Sequence, residues 1–426
     1  MIPNVASPEL VESRYAWMRL VVSLMIMTIG GVGMYSVTVV LPQIQADFSI
    51  SRSSASLPYT LTMIGFGLGG ILMGRIADRF GVMAPIILGA LALGGGFVGA
   101  AHAESITTFN IWQMVLIGFL GSATTFAPLV ADSSLWFNRN RGIALAICMS
   151  GNYLAGAVWP PIIQHFIDTA GWRATYQGIG IFCMVSMLCL AYVYRLRPPN
   201  QALAEKTASR RPTARFTLEA AHSDPARPLG LKPGTLQNLL CIAGVSCCVA
   251  MAMPQVHIVA YCGDLGLGAA RGAEMLALML GLGVVSRLVS GWISDHIGGL
   301  RTLLLGSLLQ GVALFMFLGS DSLVSLYLVS ALFGLFQGGI VPAYALIVRE
   351  FFSTKEAGGR VGTVLMSTLL GMALGGWLSG ALYDLTGSYT AAFVNGIAWN
   401  FLNVGIMLFL LHRARRGLQL KAAAPY

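Results

Sequence analysis

The 426-residue sequence is far more apolar than that of a soluble globular protein: 56% of its residues are hydrophobic, 10% are charged, and its mean hydropathy is +0.73. This composition excludes a soluble globular fold and is typical of a polytopic membrane protein. The net charge of +9 comes mainly from basic residues in predicted loops and tails, so it indicates orientation in a bilayer and not the binding of nucleic acid.

Twelve apolar segments are long enough to cross a bilayer. A helix that spans the ~30 Å hydrocarbon core needs about 20 mostly apolar residues, and these segments lack the strict alternation of barrel strands. The sequence therefore predicts an all-α membrane protein with twelve transmembrane helices in two pseudo-symmetric six-helix bundles. The predicted helices span residues 18–42, 55–76, 84–103, 108–134, 142–167, 174–195, 236–261, 271–293, 302–319, 324–349, 360–382 and 391–412.

Basic residues are distributed unevenly between the two sides of the predicted membrane helices. Only Arg52, Arg173 and Arg271 fall in the loops assigned to the outside, whereas the other loops and both ends are rich in arginine and lysine. By the positive-inside rule, both termini are expected to be cytoplasmic. We expect a multi-pass protein of a plasma membrane, more specifically of a bacterial inner membrane.

A polar segment interrupts the apolar pattern between the sixth and seventh predicted helices. Residues 196–235 contain several prolines and basic residues and few large apolar side chains, which predicts a cytoplasmic linker. The predicted domains are therefore an N-terminal six-helix bundle at 1–195, the linker at 196–235, and a C-terminal six-helix bundle at 236–426.

The two predicted bundles share short motifs. The pattern G-x-x-x-D-x-x-G follows the second predicted helix and again the eighth, and its three shared positions are separated by 217 residues. A second pair, Asp168-Thr-Ala-Gly171 and Asp384-Leu-Thr-Gly387, repeats at 216 residues. The chain is therefore interpreted as a duplicated six-helix unit, an arrangement that suits alternating access around a central site.

The repeated G-x-x-x-D-x-x-G motif is interpreted as a conformational latch or, alternatively, as a simple structural turn. Its glycines would allow tight turning and close approach of helices. Its carboxylate would cap a helix or pair with a neighbouring arginine. The residues assigned to the latch are Gly74, Asp78, Arg79, Gly81, Gly291, Asp295 and Gly298.

Arg287 is the one basic residue predicted to lie well inside an apolar helix, because the other 25 of the 26 lysines and arginines fall in predicted loops, tails or helix ends. A cation near the middle of a membrane costs roughly 2.5–3.5 kcal/mol on insertion scales. The repeat aligns Arg287 with Gly70, so this charge is not part of the duplicated scaffold. A guanidinium binds a carboxylate bidentately, which predicts anion binding. The alternative is a structural ion pair with Asp132 or another internal carboxylate.

Polar and aromatic residues near the middle of other predicted helices are further candidates for substrate binding. Each has a structural alternative, because threonine hydroxyls often bond to their own helix and buried aromatic or histidine side chains often only pack. A histidine could also relay a proton. Trp159 precedes Pro160-Pro161 and is assigned to gating or packing. The candidates are Tyr35, Thr124, Phe126, Asn152, His257, Gln337 and Tyr344.

The helix count, the six-plus-six repeat and Gly74-Arg-Ile-Ala-Asp78-Arg-Phe-Gly81 after the second helix resemble the major facilitator superfamily. Within that superfamily, Leu41-Pro-Gln-Ile-Gln-Ala-Asp-Phe48 and Ser286-Arg287 before Gly291 are similar to the monocarboxylate-porter and oxalate/formate branch. In that branch an arginine on helix 8 binds the substrate carboxylate, so the resemblance implies the same role for Arg287.

These features predict a secondary transporter of small organic anions, mono- or dicarboxylates, that works by alternating access with proton symport or anion exchange. The alternative is a drug/proton antiporter or an exporter of other small molecules. An enzyme is not expected, because the sequence lacks the HExxH, GxSxG and Walker A motifs. The expected partners are a small carboxylate, protons and the lipid bilayer, without cofactor, metal ion or nucleic acid, and the protein is expected to function as a monomer.

Overall fold

The computed structural model describes residues 10–137, 140–196 and 228–422, and all regular structure in these ranges is helical. Twelve helices there are long and apolar enough to cross a membrane, which confirms the predicted number. They are α1 Arg14–Asp47, α2 Arg52–Phe80, α3 Met83–Ala101, α4 Ile106–Trp136, α5 Arg141–Ala170, α6 Trp172–Ala191, α7 Pro233–Asp264, α8 Ala269–Ile297, α9 Gly299–Leu318, α10 Leu323–Phe351, α11 Thr354–Thr386 and α12 Thr390–Ala422.

Three of the twelve helices are interrupted within their apolar part. Helix α1 breaks at Gly31, and α10 breaks at Gly338–Gly339. Helix α4 changes from α-helix to π-helix at Trp112–Gly121 and to a 3-10 turn at Ser122–Thr125 before it continues as an α-helix. Such breaks free backbone groups from the helical ladder, and irregular backbone at membrane depth is tolerated where it is buried in protein or lines a cavity.

The packing of the helices divides the chain into two compact units. The first contains the described residues up to 196 together with Val256–Gly281, which is the end of α7 and the start of α8. The second contains residues 228–255 and 282–422. Most of the predicted linker, residues 197–227, lies outside the described residues.

The second glycine pair of the repeated motif has the same unusual backbone conformation in both places. Gly81, after α2, has φ 86° and ψ 162°, and Gly298, after α8, has φ 83° and ψ 166°. Glycine alone adopts this region readily. The other repeated pair, Gly171 and Gly387, also has positive φ. The sequence repeat therefore corresponds to repeated turns that need glycine.

The first glycine pair behaves differently. An added Cβ at Gly74 or Gly291 would meet no atom within 4 Å, so close helix approach is not what these two positions provide.

The backbone conformation of Gly298, φ 83° and ψ 166°, predicts the effect of a substitution there. We expect Gly298→Ala to destabilise the protein by about 1–3 kcal/mol, because alanine is strained at these angles. A thermal melt in detergent should show a loss on the order of 5 °C.

The matched control for this substitution is Gly74→Ala, in the same motif but inside a helix. Alanine is the better helix former there, so the melting temperature should stay the same or rise. Equal losses in the two variants would contradict the assignment of the strain to the turn after α8.

Candidate functional site

Arg287 lies half-buried on α8, beside the break in α10. Its Nε donates a hydrogen bond to the Gly338 carbonyl oxygen at 3.4 Å. That carbonyl is available because the first segment of α10 ends at Gln337 and the second begins at Ile340. The break in α10 thus provides a backbone partner for one nitrogen of the guanidinium.

Helices α8 and α10 can approach closely at this point because α10 has glycine at positions 338 and 339. A Cβ at Gly338 would overlap the Gly283 carbonyl and lie 2.8 Å from the Ser286 Cβ. A Cβ at Gly339 would collide with Ser290. The Gly338–Gly339 pair therefore both ends the first segment of α10 and allows the contact with α8 that brings Arg287 to it.

Gln337 is the second candidate that the structure brings to this place. Its side chain is fully buried, and its Oε1 accepts a hydrogen bond from Gln255 Nε2 on α7 at 2.7 Å. Its own Nε2 has no hydrogen-bond partner among the described residues. A buried N–H group without a partner is costly, so this end of the amide is suited to an acceptor from outside the protein.

Asp132, one of the internal carboxylates considered as an ion-pair partner for Arg287, is paired with Arg19. Both carboxylate oxygens of Asp132 accept hydrogen bonds from Arg19 on α1, from Nε and Nη2, each at 2.8 Å. The side chains of this pair are 3% and 0% exposed. Asp132 therefore has a structural partner of its own within the first unit.

In the first unit, two candidates lie at the break in α1. Tyr35 is buried, and its ring packs against Gly156 of α5, where a Cβ would come within 2.9 Å of Tyr35 Cζ. Asn152, also on α5, is half-buried, and its Oδ1 would lie 3.6 Å from a Cβ at Gly31. Trp159, one turn beyond Gly156, donates from Nε1 to the Thr28 carbonyl oxygen at 2.8 Å.

Two further candidates lie at the irregular part of α4. The Thr124 hydroxyl donates to the Leu120 carbonyl oxygen of its own helix at 2.8 Å, and Thr124 is fully buried. This bond corresponds to the structural alternative for a helical threonine. Phe126 stands where the 3-10 turn meets the next α-helical segment, with its ring centroid 6.1 Å from that of Phe66.

The remaining candidates, Tyr344 and His257, are fully buried. Tyr344 donates from its hydroxyl to Asn403 Oδ1 on α12 at 3.0 Å, and Asn403 in turn donates to Ser307 Oγ on α9 at 2.7 Å. His257 lies on the part of α7 that belongs to the first unit. Among these candidates, Arg287 and Gln337 both lie at the break in α10, whereas Tyr344 belongs to a polar network with Asn403 and Ser307.

The charged residues of the predicted latch are exposed. Asp78 and Arg79 lie at the end of α2 and Asp295 lies at the end of α8. Within the described residues neither carboxylate forms an ion pair. The assignment of these residues to a latch stays a prediction.

A cavity of about 220 Å³ lies between α8, α9 and α10. Its walls are mainly apolar, and several of the side chains at its edge are exposed on membrane-spanning helices. No charged residue contributes to its wall, so its chemistry does not suit an anion. Its lining includes Val285, Ser286, Val289, Ser290, Thr302 and Leu305.

Gln255 is a residue of this site that the sequence did not single out. It follows Pro254 in an apolar run of α7. The only sequence feature that marks it is that a polar amide within such a run needs hydrogen-bond partners. Asn152 and Gln337 drew attention on the same ground, so Gln255 could have been found in the same way.

Comparison with known proteins agrees with the resemblance to the major facilitator superfamily. The model of the Major Facilitator Superfamily matches residues 22–318 and 275–425. Monocarboxylate transporter 13 of Rattus norvegicus is 29% identical over 360 residues, which cover 84% of this chain and 79% of the relative. The uncharacterized MFS-type transporter YcxA of Bacillus subtilis is 25% identical over 360 residues, with coverage of 80% and 82%.

Solved structures show the same fold at low sequence identity. A peptide transporter POT in complex with sulfate has a TM-score of 0.71 at 13% identity and 94% coverage of both chains. A bacterial homolog to the human lysosomal transporter Spinster has a TM-score of 0.67 at 15% identity, with coverage of 97% and 98%. The chain is therefore a membrane transporter of the Major Facilitator Superfamily, similar to its monocarboxylate porters, and is not an enzyme.

Proposed function

We propose that this transporter carries small organic anions, mono- or dicarboxylates, across a plasma membrane by alternating access, and that Arg287 binds the carboxylate. The observation that carries the proposal is the half-buried guanidinium of Arg287 on a membrane-spanning helix, beside the break in α10. A positive charge in this position suits an anion and not a cationic drug. Relatives named monocarboxylate transporters support the same substrate class.

The binding chemistry follows from the donors of the guanidinium. Arginine has five N–H groups in a fixed fork, and Arg287 uses Nε for Gly338. A guanidinium has parallel N–H pairs that match the two oxygens of a carboxylate. An anion that neutralises the guanidinium would lower the cost of enclosing this charge when the site closes.

A thermal-shift screen of the purified protein tests the proposal. The panel consists of short mono- and dicarboxylates from acetate to adipate, with sodium chloride at equal ionic strength as the reference. A ligand at ten times its dissociation constant stabilises by roughly 1.4 kcal/mol, so at least one acid should raise the melting temperature of the wild-type protein. Arg287→Gln should lose this shift.

The control for charge in this screen is propionamide, a neutral analogue of propionate, which should give no shift. The proposal is wrong if no acid of the panel stabilises the wild-type protein, or if Arg287→Gln keeps the full stabilisation by the same acid.

The driving force is proposed to be proton symport or anion exchange, and uptake into proteoliposomes separates the two. Faster uptake with an inward proton gradient supports symport, and faster uptake into vesicles preloaded with the same acid supports exchange. The excess of arginine and lysine in the loops assigned to the inside supports an orientation with both termini in the cytoplasm.

A further inference from the structure

Two glutamine side chains meet inside the second unit, one from α7 and one from α10. Gln255 is 7% exposed and Gln337 is 0% exposed. Gln255 Nε2 donates to Gln337 Oε1 at 2.7 Å, a short and well-formed hydrogen bond. Gln337 Nε2 has no partner among the described residues. The pair thus satisfies the oxygen of the Gln337 amide and leaves its nitrogen available.

The available nitrogen belongs to the residue that precedes the backbone partner of Arg287. Gln337 ends the first segment of α10, and the next residue, Gly338, accepts the hydrogen bond from Arg287 Nε. Gln337 and the backbone partner of Arg287 are therefore consecutive residues at the same break in α10. No described acceptor is bonded to Gln337 Nε2, whereas most buried polar side-chain atoms in proteins have a partner.

We propose that Gln337 Nε2 donates a third hydrogen bond to the anion that Arg287 binds bidentately, and that Gln255 is the positioning residue that keeps this N–H directed at the anion. The inference rests on the proposed function. An amide group is planar, so the bond from Gln255 to the oxygen fixes the direction of the nitrogen as well. If the Gln337 amide turned over, its two N–H donors would face the Gln255 donor.

The chemistry of a carboxylate allows this third donor. An ionised carboxylate has about four lone-pair sites, and a bidentate arginine uses two of them. A neutral N–H adds a hydrogen bond without adding charge. The empty site then carries one cation and not two, which limits the cost of holding the site empty inside a membrane.

Affinity measurements on two methionine variants test the proposal. The probe is the acid of the acetate-to-adipate panel that stabilises the wild-type protein most, and its dissociation constant is measured by calorimetry. Gln337→Met removes the donor and should raise this constant about tenfold, as for other hydrogen bonds to charged groups. Gln255→Met should raise it by a smaller factor, about threefold to fivefold, since the N–H survives but is free to turn away.

The double variant distinguishes positioning from packing. If Gln255 acts only through Gln337, Gln255→Met in the Gln337→Met background should cause no further loss of affinity. Additive losses would show that Gln255 acts on the anion independently and would overturn its positioning role. The melting temperature without ligand identifies a variant that fails to fold, and Gln337→Glu, which keeps the shape but has no N–H, then replaces Gln337→Met with a loss expected again.

Gln237 is the matched control on the same helix. It is also a buried glutamine, and its Nε2 donates to the Arg360 carbonyl oxygen at 3.1 Å. Gln237→Met should leave the dissociation constant unchanged. Wild-type affinity in Gln337→Met, with affinity lost in Arg287→Gln, would overturn the inference and leave the proposed function standing. Wild-type affinity in Arg287→Gln would instead overturn the proposed function.

Discussion

Replacing Arg287 by lysine is expected to lower the kcat/KM of carboxylate uptake by on the order of 100-fold, although the positive charge is kept. Lysine is a point charge without the planar fork, so the bidentate contact with the carboxylate is lost. The side chain also loses the Nε donor that reaches the Gly338 carbonyl oxygen. The measurement is initial uptake of a radiolabelled acid of the panel into proteoliposomes.

The control for the uptake measurement is Arg271→Lys on the same helix. Arg271 is exposed and pairs with Glu274 one turn away at 3.0 Å. Exposed pairs of this kind contribute little, so uptake should match the wild type. If Arg287→Lys keeps wild-type KM while Arg287→Gln loses uptake, charge alone is sufficient and bidentate binding is wrong.

The number and the approximate positions of the helices could be predicted because a bilayer leaves few choices. Backbone groups in hydrocarbon must bond within their own segment, so a run of about 20 apolar residues forms a helix. The breaks could not be predicted in the same way. Gly30-Gly31 and Gly338-Gly339 stand in apolar runs among 51 glycines, and a glycine pair that breaks a helix has the same sequence as one that only packs closely.

Arg287 could be singled out as a candidate because the free-energy cost of a charge within an apolar helix is visible in the local sequence. Arg287 stands out in an apolar run whatever it contacts. Gln255 depends instead on a neighbour that the sequence does not show. Thr124 bonds to its own helix at 2.8 Å, whereas Gln255 reaches a glutamine 82 positions away. Pairing across such distances is decided by helix packing and is not visible in a local pattern.

The burial of Arg19 was not predicted, because the sequence assigned this residue to a helix end. It is 2% exposed, and its partner Asp132 lies 113 positions away. The guanidinium also lies over the rings of Trp136 and Tyr194, 4.7 Å and 4.3 Å from their centroids. An arginine near the end of a membrane helix is usually solvated. Here aromatic rings and a carboxylate surround it.

This buried pair leads to the largest stability effect that we expect. Arg19→Met would leave the Asp132 carboxylate buried without its cation, and breaking a buried ion pair in this way costs about 3–5 kcal/mol. The variant would also lose the two hydrogen bonds from Arg19 Nη1 to the Val193 and Leu196 carbonyl oxygens, each at 3.2 Å. A thermal melt in detergent should show a loss on the order of 10 °C.

A double variant distinguishes two causes of this loss of stability: the unpaired charge of Asp132 and the lost packing of the Arg19 side chain. In Arg19→Met with Asp132→Leu no charge is left unpaired, so the melting temperature should recover most of the loss, as replacement of whole buried pairs by apolar residues does elsewhere. Arg271→Met, which breaks an exposed pair, should change stability by less than about 1 kcal/mol.

If the double variant melts as low as Arg19→Met, the loss comes from packing around Trp136 and Tyr194 and not from the orphaned carboxylate. Recovery would instead show that the loss comes from the orphaned carboxylate and that the intact pair of α1 and α4 adds little net stability.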